Sequence, residues 1–323
     1  MGYAIGTLTK GGGDDCHYQL LGVIKTLAEA NGWVTLRYDT STANHELILQ
    51  GEGLSGTEEI FVGFQCYQDS GADYYNINCG VFVGYVSGND FGSQPGAKFY
   101  ATPAHNNAIT YFISCNAQQI SAGLKVGTPV YEHFYVGKGF ATSRPGEYPS
   151  FLVCGATLEM NESVRFSDTD HLFPYSGYRS NASENRLSIR DQAGNWVRPT
   201  CYPFTQGAGT QNALAGPQGS STLIPAGEYY QPEFVLMQQD KSGSSNIDPS
   251  NVFGWFDGIY FVSGFNSGVE NVVQIGGSST IDQSGLTVSE AVEEILFVGG
   301  RALVMLQNVF RTTWRDFIAM EMK

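Results

Sequence analysis

Charge is what this chain has least of. Asp, Glu, Lys and Arg make up 15% of its 323 residues, against roughly 25% in ordinary soluble domains. Only 17 residues are Lys or Arg, none gathered in a run, and the formal net charge is −14. Nucleic-acid binding rests on cations displacing counterions from phosphates, so this balance argues against it. Long apolar runs are missing too. The nearest candidate is interrupted by Gly299, Gly300 and Arg301, which argues against a membrane span. The opening MGYAIGTLTKGGG lacks the charged-then-apolar pattern of a secretory leader. It also lacks the myristoylation pattern, because Gly6 stands where Ser or Thr belongs. Synthesis and first folding in a cytosol are the expectation.

Signatures of catalysis are scarce. No G-x-S-x-G, H-E-x-x-H or Walker A pattern occurs. Gly51, Gly53 and Gly56 match the dinucleotide fingerprint, but that motif must open a helix to hold a pyrophosphate. Here TEEIFVGFQCY follows and alternates as a strand, so a hairpin loop explains the glycines better. Cys16 and His17 stand where a helix should begin, yet adjacent helical residues point about a hundred degrees apart and do not form a nucleophile–base pair. Asp168, Asp170 and His171 could ligate a metal, but the run lacks the following Gly and closing Glu of a calcium loop, and Asx turns use the same residues. The expectation is a protein that is not an enzyme, with no cofactor and no metal.

The six cysteines, Cys16, Cys66, Cys79, Cys115, Cys154 and Cys201, include no C-x-x-C pair and no zinc-like His spacing. Two readings stay open for them: buried apolar thiols, or disulfides whose pairing the sequence does not decide.

What is abundant is glycine, 40 residues, or about 12% against a usual ~7%. Aromatic residues add 13%. Few charges, many aromatics and many glycines describe a β-protein with tight turns and a weakly charged surface, of the kind that marks subunit contacts. One helix is legible. Asp14 and Asp15 offer an N-cap; Leu20, Leu21, Ile24, Leu27 and Ala28 recur at helical spacing; Asn31 and Gly32 close it. Strands are predicted at 33–39, 45–50, 59–67 and 74–85, a hairpin at 109–126, and further strands at 130–136 and 151–158.

The fold class is therefore α+β, predominantly antiparallel β, with one clear N-terminal helix and a β-rich C-terminal part. Three regions are expected: an α+β domain over 1–160, a polar loop-rich segment over 161–230 with possible arms, and a β-rich domain over 231–323. From Trp255 to Phe265 both alternating faces are largely apolar, so that strand should be covered on both sides, by a second layer of the same subunit or by another subunit. Trp255, Phe256, Tyr260 and Phe261 are the candidate subunit contacts.

Four segments, NHELILQGEGLSGTEEIFVGFQCYQ, VGTPVYEHFYVGK, RFSDTDH and SNVFGWFDGIYFVSGFNSGVEN, resemble virion structural proteins of tailed bacteriophages. The resemblance covers most of the chain apart from the polar middle and the GGSSTIDQSG loop, and it brings no catalytic residues. It implies a structural part of a contractile tail or neck, assembled in the host bacterial cytoplasm and located in the virion. Its partners would be copies of itself and other neck or tail proteins, with neither nucleic acid nor membrane. A homo-oligomeric ring around the collar is the first expectation, and a baseplate or tail-completion part the second. In that setting the cysteines could oxidise after lysis and lock the ring. A receptor- or glycan-binding tail protein is the alternative class, since aromatic loops at 173–178 and 228–231 could stack on sugars.

Overall fold

The structure, a computed structural model, describes residues 1–127, 130–141, 152–166, 173, 186–190, 194–197, 232–238, 252–262, 293, 295–298, 301–307, 309 and 317–322. Within these, eighteen strands form three antiparallel sheets, accompanied by one α-helix and a short 3-10 helix at Phe91–Ser93.

The first sheet is a five-stranded meander of β2 (Trp33–Asp39), β3 (Glu46–Gly51), β4 (Ile60–Asp69), β5 (Tyr74–Phe82) and β6 (Lys98–Pro103). Its turns carry their own chemistry. At the β4–β5 corner the Asp69 carboxylate accepts the backbone N–H groups of Gly71 and Ala72, an Asx turn that reverses the chain. Gly53 and Gly56, both at positive φ, sit in the loop between β3 and β4, with no helix after them. The dinucleotide-like glycines are hairpin residues.

The second sheet has seven strands in the order β1 (Gly2–Thr9), β7 (Ala108–Cys115), β8 (Gln119–Lys125), β9 (Tyr131–Lys138), β11 (Leu152–Ala156), β12 (Leu187–Arg190) and β13 (Trp196–Val197). The expected hairpin is β7–β8. Its turn is held by the Asn116 side-chain carbonyl, which accepts the N–H groups of Gln118 and Gln119. Strand β1, which the sequence reading does not contain, pairs with β7 over its whole length. The chain thus leaves this sheet after one strand, builds the meander, and returns beside its own beginning.

The third sheet contains β10 (Phe140–Ala141), β14 (Pro232–Gln238), β15 (Val252–Val262), β16 (Ile295–Val298), β17 (Arg301–Gln307) and β18 (Phe317–Glu321). The first part of β15 pairs with β10 and its last part with β18. Gly258, at φ +75°, lies where the partner changes.

Packing follows from alternation along the middle strands. On β7 and β8, Ile109, Ile113, Cys115, Ile120, Ala122 and Leu124 face the meander and meet Leu49, Val62, Phe64, Ile77 and Val81 in one buried core. The opposite face presents Phe112, Tyr131, Tyr135 and Val153 to Phe256, Ile259, Val304, Leu306 and Ile318 of the third sheet. The seven-stranded sheet is therefore a middle layer, covered on both faces by the same chain. Even the outer face of the meander is partly roofed, since Phe91 from the loop after β5 packs on Phe82 and Phe99.

Helix α1 (Cys16–Glu29) packs Leu20, Leu21, Ile24 and Ala28 into the core between the meander and the middle sheet. Asp15 is its N-cap residue but makes no side-chain capping bond. Its carboxylate is taken instead by Lys10, at 2.5 Å. Gly32, at φ +90°, closes the helix as expected.

Candidate assembly surface

Strand β1 is the terminal strand of the middle sheet, and among the described residues only β7 pairs with it. Its inner face, Gly2, Ala4, Gly6 and Leu8, is almost bare of side chain for a physical reason. A Cβ on Gly2 would lie 2.2 Å from Asn31 Nδ2, and one on Gly6 would lie 2.5 Å from Tyr111 Oη. The larger side chains point the other way, with Tyr3 50% and Ile5 43% exposed. Thr7 continues that stripe and shares a 3.0 Å hydrogen bond with Thr110.

Natural sheets guard open edges with charges, prolines or bulges. The meander's edge strand β2 does so: its pairing slips between Thr35 and Arg37, and Arg37 is tied to Glu46 at 2.9 Å. Strand β1, GYAIGTLT, has no charge, no proline and an unbroken register.

The sequence-derived contact residues sit elsewhere. Phe256 is 1% exposed and packs edge-on against Tyr135 and near Phe173, so its cover comes from its own chain. Trp255, Tyr260 and Phe261 lie on β15, with their side chains outside the described residues. Cys16, Cys66, Cys79, Cys115 and Cys154 are all buried free thiols, and no disulfide occurs among the described residues. Burial pushes the Cys115 and Cys154 thiols up to about 12 and holds Cys66 and Cys79 well above the usual thiol range. Cys201, Asp168, Asp170 and His171 lie outside the described residues, as do the aromatic loops at 174–178 and 228–231.

Two buried polar centres stand out, and the first of them escaped the sequence reading. At Asp257, 3% exposed, one carboxylate oxygen accepts the Asn116 amide at 2.6 Å and the Gln118 amide at 2.7 Å. The Tyr135 hydroxyl accepts the Asp257 backbone N–H at 3.2 Å and donates to the Lys138 carbonyl at 2.6 Å. This cluster ties the middle of β15, beside Gly258, to the β7–β8 turn. Burial raises the Asp257 pKa, and the two amide hydrogen bonds oppose that rise. A charged residue inside the apolar run GWFDGIYF was the available signal.

The second centre is His17, fully buried at the start of α1 beside Tyr18, Tyr75 and Gln68, with Tyr18 stacked on His45. Burial lowers the imidazole pKa to about 4, with Gln68 as the chief opposing influence. Burial also raises the pKa of the neighbouring Cys16 thiol. At neutral pH the pair is therefore a thiol and a neutral imidazole, held as core side chains. Among the described residues no group of three or more His, Cys, Asp or Glu is placed to hold a metal ion, and no helix is long and apolar enough to cross a membrane.

A scan against protein-family models finds no match, and a search of curated proteins finds none either.

Proposed function

We propose that this protein is a structural subunit that assembles with copies of itself, as a ring around the neck or collar of a contractile-tailed phage virion. The observation that carries the self-assembly is the unguarded edge of β1, uncharged over its whole length and flanked by half-exposed Tyr3 and Ile5. An edge of that kind is a template for another strand. The sequence resemblance to phage virion proteins supplies the setting. A baseplate or tail-completion position would use the same contact.

Electron cryo-microscopy of the native particle tests the placement. Density for a closed ring of this chain at the neck supports the collar reading, and a ring at the baseplate moves the subunit there. A monomer in solution together with absence from the particle rejects the proposal. Selective retention on a glycan array would shift the weight to a sugar-binding tail protein.

A further inference from the structure

We propose that the open edge of β1 is completed by β1 of a second copy of this chain, the two strands antiparallel across a twofold axis beside Ile5. This rests on the self-assembly proposed above and names its contact. Along β1 alternate residues turn their backbone N–H and C=O groups away from β7, toward the open side. Those groups are the adhesive, and no charge, proline or bulge blocks them.

Charge favours a second copy as the occupant. Each chain carries −14, so two copies repel over most approaches. Along β1 an incoming copy meets no like charge, because residues 2–9 contain no Asp, Glu, Lys or Arg. Lys10, at the end of the strand, is already paired with Asp15. A basic partner would gain more from the acidic remainder of the surface than from this neutral strip.

Geometry agrees with that choice. The twofold that makes two neighbouring strands antiparallel stands perpendicular to the sheet, so it preserves the faces. Odd residues of one copy therefore lie opposite odd residues of the other. With the axis at Ile5, Ile5 meets Ile5 and Tyr3 meets the second copy's Thr7, an aromatic on a β-branched neighbour. The exposed stripe of each copy becomes one stripe across both, and the two middle sheets become a single sheet. A dyad pairs copies two at a time, so a larger closed assembly uses a different surface to join the pairs.

The test compares wild type, a Tyr3→Lys/Ile5→Lys variant and an Ile5→Cys variant by sedimentation velocity and non-reducing electrophoresis. Both positions, Tyr3 and Ile5, are half-exposed, and far-UV circular dichroism checks that each variant folds. The expected result is a wild type that self-associates and a lysine variant that associates about tenfold or more weakly. In mild oxidant, Ile5→Cys should give a covalent dimer that wild type does not. An associated wild type whose mass is unchanged by the lysines, with no Ile5→Cys coupling, overturns the β1 contact and leaves self-assembly through another surface standing. A wild type that is monomeric at every concentration overturns both. The cysteine variant keeps the proposal open to refutation even if the lysine pair disturbs folding.

Discussion

Replacing Asp257 by Ala tests whether the carboxylate holds the third sheet to the middle one. The side chain is 3% exposed, and its two amide partners, Asn116 and Gln118, are themselves buried. Removing the acceptor strands two buried donors, each costing about 1–3 kcal/mol, while relieving part of the cost of burying the carboxylate itself. The net expectation is a loss of about 2–4 kcal/mol. Asp257→Asn keeps one acceptor oxygen and loses the charge, so it should cost about 1 kcal/mol. The pH dependence has a definite sign. Because the folded-state pKa is raised, the protonated form is favoured in the fold. Its contribution is complete below the unfolded value, near 4, and is lost as pH rises through the folded value. The deficit of Asp257→Asn relative to wild type should therefore be largest in acid and shrink toward neutrality. Urea unfolding of the three proteins between pH 4 and 7 reads both effects. An Ala variant as stable as wild type, or a deficit of the Asn variant that grows with pH, would refute the clamp.

Gly137→Ala should lose about 3 kcal/mol or more, from the strained φ and the overpacking together. The residue sits at φ +122°, and a Cβ there would lie 2.2 Å from the Gln118 carbonyl oxygen, a backbone atom; chemical denaturation checks it. Native protein at neutral pH should leave Cys16, Cys66, Cys79, Cys115 and Cys154 unlabelled by a thiol reagent until it unfolds; mapped label on any of the five in the native fold refutes that. His17 and His133 both have pKa values lowered to about 4 by burial. Each contributes stability that is full above the unfolded value, near 6.5, and is lost as pH falls toward 4, by roughly 3 kcal/mol at most. Thermal melts should show that loss, and His17→Gln should flatten part of it.

What could be read in the sequence depended on which face of each element was buried. Leu20, Leu21 and Ile24 announced α1 because a helix against two sheets needs a wide apolar stripe. The β7–β8 hairpin was equally plain, with Ile109, Ile113, Ile120 and Leu124 on one face. Strand β1 was not legible. Its half-buried face holds Gly2, Ala4 and Gly6, with Asn31 and Tyr111 lying against it and only Leu8 large, while Tyr3 and Ile5 point outward. A pattern reading that looks for large residues inside finds nothing to align. For the apolar strand after Val252 the sequence predicts cover on both faces, but the same alternation serves a neighbouring layer and a neighbouring subunit. For Phe256 the cover is Tyr135 of the same chain. Asp257 is the one charge within that strand, but its partners Asn116 and Gln118 lie about 140 positions earlier, and no local pattern joins them.

The layering also changes what the low charge means. From composition alone, few charged residues imply a surface left apolar for subunit contacts. In the fold, both faces of the middle sheet's inner strands are buried by the chain itself, and Phe91 roofs part of the meander's outer face. Much of the apolar residue content is thus consumed inside one subunit. Among the described residues, what stays open on β1 is backbone, with Tyr3 and Ile5 only half-exposed. Association through such an edge is led by main-chain hydrogen bonds, which Ile5→Ala leaves in place and a lysine pair obstructs. If self-association instead falls as steeply for Ile5→Ala as for the lysine pair, the contact is driven by apolar side chains, as the low charge content alone implies.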